Sequence, residues 1–192
     1  MAKTIADLEI YAKENHIPIA RKSFVDYLTQ LVLENHYTTM LEIGTGIAYT
    51  CICLCQQTNL DITTIEYRLE RYQESKKNVQ EFLDRIHLYY GDALSMSFSQ
   101  KYDIIFIDAA KLKNKAFFIK YSPLLSLNGT LIIDNMDLHD FSLTAKKEKV
   151  EKYKKSNQEL MDYLFHLKDF EVTYLPIGDG ILKITHKKYF FV

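Results

Sequence analysis

The sequence predicts an α/β protein: a mostly parallel sheet with an antiparallel edge and helices on both faces. Short apolar runs, most of them bounded by Gly, Asp or Asn, alternate with segments that are long enough for a helix. Strands that alternate with helices pair in parallel through right-handed crossovers, so these runs are expected to form a single sheet. Five of the runs span Thr39–Ile43, Ile62–Ile65, Ile86–Tyr90, Ile104–Ile107 and Thr130–Ile133.

The two ends of the chain complete this prediction. At the start, Thr4–Glu14 is helix-like, and a second helix is expected from Ser23, where apolar residues recur at helical spacing. At the end, the strand candidates Glu171–Leu175 and Gly180–Ile184 are joined by a link too short for a parallel crossover, which predicts an antiparallel hairpin and a seven-stranded sheet. No repeat or linker interrupts the chain, so we expect one domain over 1–192 with an N-terminal helical segment at 1–36.

Composition and charge exclude some classes of protein. The formal net charge of -1 excludes a uniformly basic nucleic-acid binder but leaves room for a local basic patch. Neither a signal peptide nor an apolar stretch long enough to span a membrane is apparent, so we expect a cytoplasmic protein without a membrane partner. Cys51, Cys53 and Cys55 alternate along one apolar run and point in different directions on a helix, so they are expected to be packed thiols rather than metal ligands.

Residues at the ends of the first three strands predict a nucleoside site, because ligands of such sheets bind at the carboxyl ends of the strands. The turn Gly44-Thr45-Gly46 follows the first strand, and Tyr49 occupies the position where a dinucleotide-binding turn has its third glycine. Glu66, about twenty residues after the turn, can accept hydrogen bonds from both hydroxyls of a ribose. The alternative is a solvated acid at a strand end. Asp92 follows the third strand, where it can meet an adenine amino group.

Three oxygen-bearing side chains follow the next two strands: Asp108 ends the fourth, and Asp134 and Asn135 end the fifth. Two carboxylates and an amide oxygen are hard ligands that suit Mg²⁺ or a similar cation. Each residue alone can equally well terminate a strand and cap the next helix. Lys111 lies three residues after Asp108. A neighbouring divalent cation would depress the pKa of this lysine and let it act as a general base, although a solvated surface lysine is the common alternative.

Taken together, these residues resemble the metal-dependent O-methyltransferases, a family that includes the catechol and caffeoyl-coenzyme A enzymes. The resemblance runs from about Ile17 to Ile184, and the motifs occur in the family's order. It implies a Rossmann-like class I methyltransferase fold, methyl transfer from S-adenosylmethionine, and a requirement for Mg²⁺ or Mn²⁺. The motifs are Glu-Ile-Gly-Thr at 42–45, Ile-Glu at 65–66, Gly-Asp-Ala at 91–93, Phe-Ile-Asp-Ala-Ala-Lys at 106–111, Asp-Asn at 134–135 and Leu-Pro-Ile-Gly-Asp-Gly at 175–180.

The resemblance also implies roles for individual residues. Asp108, Asp134 and Asn135 would hold the metal, and Lys111 and Asp108 would be the catalytic residues beside the reacting oxygen. Ile19 would cover the methionine end of the cofactor. A homodimer is implied as well, and the aromatic run Tyr189–Phe191 is a candidate for its interface. The other residues implied at the cofactor site are Gly44, Thr45, Tyr49, Thr50, Glu66, Asp92, Ala93 and, besides its metal role, Asp108.

Within the family, the chain is most similar to the bacterial enzymes that methylate 5-hydroxyuridine at the wobble position of tRNA, which implies the anticodon loop as substrate. The short chain, the run Ile17-Pro18-Ile19 and the turn 177–180 carry this similarity. Ala48 departs from the pattern, because relatives often carry Gly there. Asn128-Gly129 also departs, since it replaces a Pro-Gly or Gly-Gly turn. The segment Met136–Thr144, expected to border the substrate, follows no subgroup's pattern.

A lysine-rich segment is the candidate RNA-contacting surface. The lysines between Lys146 and Lys155 are interrupted by Glu148 and Glu151. The pattern fits either a phosphate-contacting helix face or a solvated face with pairs such as Glu148–Lys152 and Glu151–Lys155. The residues singled out for RNA contact are Arg21, Lys22, Lys113, Lys146 and Lys147.

Three other functions stay open at this point. A small-molecule catechol-type methyltransferase shares every catalytic feature and differs only in its pocket and substrate. An NAD-dependent dehydrogenase would share the fold and Glu66, but Tyr49 and the three oxygen ligands count against it. A non-catalytic RNA-binding module would use the lysines and leave the strand-end acids without a role.

Overall fold

A computed structural model describes residues 3–137 and 145–188. Its helices are α1 (Ile5–Glu14), α2 (Lys22–Asn35), α3 (Tyr49–Gln57), α4 (Leu69–Asn78), α5 (Asn114–Tyr121) and α6 (Lys147–Phe165). Its strands are β1 (Thr39–Ile43), β2 (Asp61–Glu66), β3 (Ile86–Tyr90), β4 (Tyr102–Ile107), β5 (Leu125–Ile133), β6 (Phe170–Leu175) and β7 (Ile181–His186). Short 3₁₀ turns span Gln80–Phe82, Lys111–Lys113 and Ser122–Leu124.

The strands form one seven-stranded sheet in the order β3-β2-β1-β4-β5-β7-β6. The pairs β1 with β2, β1 with β4, β2 with β3 and β4 with β5 are parallel. By contrast, β7 runs antiparallel to both β5 and β6. The predicted fold class is therefore confirmed, including the antiparallel hairpin. Because the strand order reverses between β1 and β4, the ends of these two strands border the crevice where such sheets bind ligands.

The largest difference between predicted and observed strands is in β5. The prediction starts at Thr130 because Asn128-Gly129 has the composition of a turn, whereas β5 begins at Leu125. A Cβ atom at Gly129 would lie 2.8 Å from the backbone oxygen of Asp103. The glycine therefore permits a close approach of β5 to β4 instead of ending the strand. The bounds of the other strands lie within two residues of the predicted ones.

Helices cover both faces of the sheet. On one face, α1, α2 and α3 enclose a core that includes Leu28, Ile52 and Ile104. On the other face, α5 and α6 pack onto a second core that includes Ile105 and Leu160. The three cysteines lie buried in α3 without a disulfide, so the prediction of packed thiols is confirmed.

The connection between β3 and β4 contains no helix in residues 91–101, unlike most of the connections that the sequence predicts. Leu94, Met96 and Phe98 pack at alternate positions onto the second core. Residues 93–95 form a turn, in which the amide of Ser95 donates to the backbone oxygen of Asp92 at 2.9 Å. The turn that carries Asp92 is therefore held directly against the sheet.

Two predictions fall wholly or mostly outside the described residues. These are the aromatic run Tyr189–Phe191 and the greater part of Met136–Thr144. The homodimer, the cytoplasmic location and the single domain over 1–192 stay predictions. Within the described ranges, no helix is both long enough and apolar enough to cross a membrane.

Candidate active site

The turn after β1 and the end of β4 are packed tightly against each other. Gly44 has a φ of 107°, and its amide donates to the carbonyl oxygen of Ile65 at 2.9 Å. A Cβ atom at Gly44 would lie 2.0 Å from the backbone oxygen of Asp108, so only glycine lets the end of β4 come this close. Gly46, with a φ of 60°, has no neighbour within 4 Å of the position of a Cβ atom. The second glycine of the turn therefore faces open space, as a ligand-binding turn requires.

A buried polar network lies beneath this turn. Oε2 of Glu42 accepts hydrogen bonds from the hydroxyl of Thr64 at 2.5 Å and from the thiol of Cys51 at 2.8 Å. The hydroxyls of Thr45 and Thr64 lie 2.6 Å apart, which links the network to the turn. Burial raises the pKa of Glu42 to about 7. Glu42 was not among the site residues predicted from the sequence, although an acid within an apolar strand was an available signal.

Glu66 at the end of β2 is held by backbone amides. The amide of Gly46 donates to Oε2 at 2.8 Å, and the amide of Arg68 donates to Oε1 at 2.7 Å. Glu66 is 5% exposed, which excludes the alternative of a solvated acid. Each carboxylate oxygen keeps capacity for a further donor, such as a ribose hydroxyl.

Asp92 and Ala93 form the turn after β3. Oδ1 of Asp92 accepts from the amide of Leu94 at 2.9 Å, and Oδ2 lies 3.6 Å from Nζ of Lys113. The hydroxyl of Tyr121 donates to the backbone oxygen of Ala93 at 2.5 Å. These contacts tie the turn to the segment that follows β4. They also place Lys113, a candidate RNA contact, in an ion pair.

Tyr49 and Thr50 at the start of α3 are buried, whereas Ile19 is only partly buried. The ring of Tyr49 belongs to the core of the first face, and its hydroxyl donates to Oε1 of Glu9 in α1 at 2.7 Å. Thr50 is buried, and Ile19 is partly buried against the same core. The Tyr49 hydroxyl thus has a partner within the protein. The predicted contacts of the three residues with the cofactor stay predictions.

Asp108, Asp134 and Asn135 meet at the ends of β4 and β5. Nδ2 of Asn135 donates to Oδ2 of Asp134 at 2.9 Å and to Oδ1 of Asp108 at 3.1 Å. Asn135 has a φ of 63°, a left-handed conformation that Asn tolerates better than most residues. This conformation turns the chain, and as a result Asp134 and Asn135 face the same point instead of opposite sides of a strand.

Electrostatically, this cluster holds two carboxylates that are costly to ionise. Burial raises the pKa of Asp108 to about 6, and the charge of Glu42 adds to the effect. Burial likewise raises the pKa of Asp134 to about 7, with the charge of Asp108 adding. Nζ of Lys111 donates to Oδ1 of Asn135 at 2.5 Å, and burial lowers the pKa of this lysine below its usual value. Perturbed acids beside a perturbed lysine are typical of a catalytic site.

The donor set fits a hard divalent cation, because its ligands are oxygen atoms alone. Within residues 3–137 and 145–188, no three His, Cys, Asp or Glu side chains form a group that could hold a metal ion. A metal site here therefore depends on Asn135 as its third ligand. The amide nitrogen of Asn135 faces the two acids, so the amide group must rotate before its oxygen faces a cation.

Another acid, Asp179, lies beside this centre and was not assigned to the site from the sequence. It precedes β7, and its charge adds to the effects of burial and of Asp108 in raising the pKa of Asp134. Oδ1 of Asp179 lies 2.6 Å from Nη2 of Arg21, which places this candidate RNA contact in an ion pair. The available signal was the hairpin itself: β7 pairs with β5, which brings the turn before β7 to the end of β5.

Helix α6 borders the site. It packs against the turn Lys111–Lys113, and Nδ2 of Asn157 donates to the backbone oxygen of Met136 at 3.3 Å. Lys146 is the N-cap of this helix and Lys147 its first residue. Two of the candidate RNA contacts thus stand at the N-terminal end of a helix that borders Lys111. Lys22 is paired with Asp26 at 2.8 Å on α2.

Further along α6, lysines pair with acids of the same helix. The expected pair Glu148–Lys152 is present, whereas Glu151 pairs with Lys154 instead of Lys155. The distances are 3.1 Å for Lys152–Glu148, 2.9 Å for Lys154–Glu151 and 3.9 Å for Lys155–Glu159.

Solved structures with the same fold include methyltransferases. A Staphylococcus aureus protein described as a candidate caffeoyl-CoA O-methyltransferase is 29% identical, with a TM-score of 0.85 over 96% of this chain and 93% of that chain. An O-methyltransferase from Bacillus cereus in complex with SAH is 20% identical, with a TM-score of 0.81 over 97% of this chain and 93% of that chain. The second similarity concerns the fold alone.

Curated relatives and a family model extend the comparison. A tRNA1(Val) (adenine(37)-N6)-methyltransferase from Actinobacillus pleuropneumoniae serotype 5b (strain L20) is 35% identical over 74 residues, which are 36% of this chain. The match spans about a third, 31%, of the length of that curated relative. The family model described as O-methyltransferase matches residues 4–187. Since this match covers nearly the whole chain and agrees with the fold, the chain belongs to the O-methyltransferase family.

Proposed function

We propose that the protein transfers the methyl group of S-adenosylmethionine to an oxygen atom of its substrate, with the help of Mg²⁺ or Mn²⁺. The observation that carries this proposal is the meeting of Asp108, Asp134 and Asn135 next to Lys111, beside the glycine turn after β1. Membership of the O-methyltransferase family supports the same reaction.

On this proposal, the first three strand ends bind the cofactor. Glu66, already fixed by two backbone amides, accepts hydrogen bonds from the ribose hydroxyls. The open space beside Gly46 admits the ligand close to the backbone. Asp92 and Ala93 border the adenine.

The reaction takes place at the ends of β4 and β5. Asp108, Asp134 and Asn135 hold the divalent cation, which when bound lowers the pKa of a substrate hydroxyl that has a second oxygen beside it. Nζ of Lys111 lies at the rim of this cluster, where it accepts the proton of that hydroxyl. The lowered pKa of Lys111 increases the fraction of neutral amine that can do so. Attack of the oxygen on the methyl carbon releases the sulfur as a neutral thioether. Most of the rate then comes from positioning and charge placement.

For the substrate, we propose 5-hydroxyuridine at the wobble position of tRNA, which becomes 5-methoxyuridine. Its 5-hydroxyl and 4-carbonyl supply the two adjacent oxygens. The start of α6 supports an RNA substrate: Lys146, Lys147 and Lys149 outnumber one acid, Glu148, at the positive end of the helix dipole, where cations are unfavourable. Cations that oppose the helix dipole without a gain in stability are typical of a functional surface. Phosphates of an anticodon loop would offset that charge.

The direct test is methyl transfer from labelled S-adenosylmethionine to tRNA that carries unmethylated 5-hydroxyuridine, with and without a chelator. Labelling that the chelator abolishes and added Mg²⁺ restores is the expected result. Labelling that persists in the chelator contradicts the metal proposal. Intact binding of S-adenosylhomocysteine without any labelling of tRNA contradicts the substrate proposal.

The lysines give a second test of the RNA proposal. The double substitution Lys146→Gln and Lys147→Gln should weaken tRNA binding and flatten its dependence on salt, because each lost phosphate contact reduces the number of released counterions. The matched control is Lys154→Gln with Lys155→Gln, since both lysines are paired within the helix. Equal losses in the two double variants would contradict a specific role for the start of α6.

A small-molecule substrate is the second candidate. The specific observation in its favour is the Staphylococcus aureus structure, whose description names a caffeoyl-CoA enzyme. A vicinal diol such as catechol presents the same two oxygens to the cluster. Chelator-sensitive methylation of catechol, together with no methylation of 5-hydroxyuridine, would favour this candidate.

A further inference from the structure

The turn before β7 is fixed between α2 and the metal-ligand cluster. The backbone oxygens of Asp179 and Gly180 accept hydrogen bonds from the amides of Asp137 and Met136 at 2.8 and 2.9 Å. These amides belong to the residues directly after Asn135. On the other side, a Cβ atom at Gly178 would lie 3.3 Å from Cβ of Phe24 in α2. The backbone of Asp179 is therefore held at the rim of the reaction centre.

The side chain of Asp179 connects this turn to the start of α2. Its Oδ1 lies 2.6 Å from Nη2 of Arg21, and the two side chains are 39% and 51% exposed. Ion pairs with this much exposure contribute only about 0–1 kcal/mol to stability. The fold therefore depends little on this pair, and another anion can replace the carboxylate at small cost.

A nucleotide substrate brings such an anion. When the base lies at Asp108, Asp134 and Asn135, the phosphate on its ribose points away from the reacting oxygen and needs a cation at the rim of the site. The guanidinium of Arg21 lies at this rim, because it is paired with Asp179, whose backbone oxygen accepts from the amide of Asp137. A guanidinium donates two parallel hydrogen bonds to a phosphate, which is a strong and geometrically specific contact.

We propose that Arg21 binds the phosphate of the nucleotide that is methylated, and that Asp179 holds the guanidinium in position until the phosphate replaces it. The proposal rests on the proposed function, since it assumes a nucleotide at the reaction centre. It gives Arg21 a part in specificity: a neutral catechol has no group that competes with Asp179, whereas a nucleotide does.

The test compares 5-hydroxyuridine with its 5′- and 3′-monophosphates as methyl acceptors. Arg21→Gln should raise the KM of at least one monophosphate by about 10- to 100-fold, the effect of losing a hydrogen-bonded charge, with kcat nearly unchanged. The KM of the nucleoside should change less than about threefold. Asp179→Asn should lower the KM of the same monophosphate, because the phosphate no longer competes with a carboxylate. Lys154→Gln is the matched control, since it removes the cation of another exposed ion pair, the one with Glu151 on α6.

Three results would overturn the proposal, and they separate it from the proposed function. Equal effects of Arg21→Gln on nucleoside and monophosphates would mean that Arg21 acts on the site in general. A higher monophosphate KM in Asp179→Asn would mean that the carboxylate does not compete with phosphate. Methylation of none of the three acceptors by the wild-type protein, with intact binding of S-adenosylhomocysteine, would remove the nucleotide substrate and the phosphate contact together.

Discussion

The candidate site has a cofactor side, at the ends of β1, β2 and β3, and a reaction side, at the ends of β4 and β5. The acids on the two sides have different hydrogen-bond partners. On the cofactor side, each oxygen of Glu66 accepts a hydrogen bond from a backbone amide, at 2.8 and 2.7 Å. On the reaction side, burial raises the pKa of Asp108 to about 6 and that of Asp134 to about 7. The side-chain amide of Asn135 donates to both acids, at 3.1 and 2.9 Å, and its backbone amide donates to Asp134 alone, at 2.7 Å.

The difference indicates what each half needs from a ligand. Backbone amides already stabilise the charge of Glu66, which suits the neutral ribose that we propose as its ligand. Asp108 and Asp134 share one side-chain amide, and Asp134 alone has a backbone amide, so their charge is compensated less well than that of Glu66. The divalent cation that we propose would compensate it. Substitutions in the two halves should therefore have separable effects on cofactor binding and on turnover.

The largest effect is expected for Asp108→Ala. Loss of a metal ligand should lower methyl transfer by about 1000-fold or more, since metal catalysis contributes several kcal/mol. The affinity for S-adenosylhomocysteine, measured by calorimetry, should fall by less than about tenfold. Unchanged turnover would refute the assignment of the metal site.

The converse substitution is Glu66→Gln. It removes a charged acceptor from the cofactor side and should weaken binding of S-adenosylhomocysteine by about 10- to 100-fold, with little change of kcat at saturating cofactor. Glu70→Gln, an exposed acid on the first turn of α4, is the control. If kcat fell as much as affinity did, the two halves would not be separable.

The buried acid beneath the cofactor turn predicts a dependence of stability on pH. Glu42 has a pKa of about 7 in the folded protein, above its ordinary value of 4.5. Between these values the folded state binds more protons than the unfolded state, so stability falls as the pH rises. From about pH 5 to about pH 8, Glu42→Gln should lose less free energy of unfolding than the wild type, by on the order of 2–3 kcal/mol. Urea denaturation at both pH values measures this difference, and parallel losses would contradict the role of Glu42.

The smallest effect is expected at Ala48, which has a φ of 67° at the N-cap of α3. A left-handed conformation costs an alanine about 1–2 kcal/mol, whereas the extra freedom of glycine in the unfolded chain costs about 0.5–1 kcal/mol. Ala48 is fully buried, so Ala48→Gly also removes a methyl group from the core at a cost of about 0.8 kcal/mol, and the net change in the free energy of unfolding should be less than about 1 kcal/mol. Ala6→Gly, in the exposed part of α1, should lower it by about 1 kcal/mol. Thermal unfolding of both variants makes the comparison, and a destabilisation by Ala48→Gly larger than that by Ala6→Gly would contradict the relief of the left-handed conformation.

The sequence predicted most of the sheet, because each strand is a short apolar run with a polar or glycine residue at its end. It also predicted that Asp108, Asp134 and Asn135 would come together, since adjacent strand ends meet at one edge of a sheet. It missed Asp179 and the partner of Arg21, because that contact joins residues far apart in the chain. The predicted β5 also began five residues too late, because Asn128-Gly129 has the composition of a turn whatever its neighbours are. Local patterns thus place elements and strand ends, whereas contacts between distant segments depend on how the elements pack.

The absence of a side chain at Gly44 limits how this site can vary. The Cβ atom of any other residue at position 44 would lie 2.0 Å from the backbone oxygen of Asp108, where the two atoms would clash. A larger residue in the cofactor turn must therefore displace either that turn or a proposed metal ligand. The cofactor turn and the reaction centre are thus not independent modules: a protein engineer who redesigns one of them at this position has to redesign the other as well.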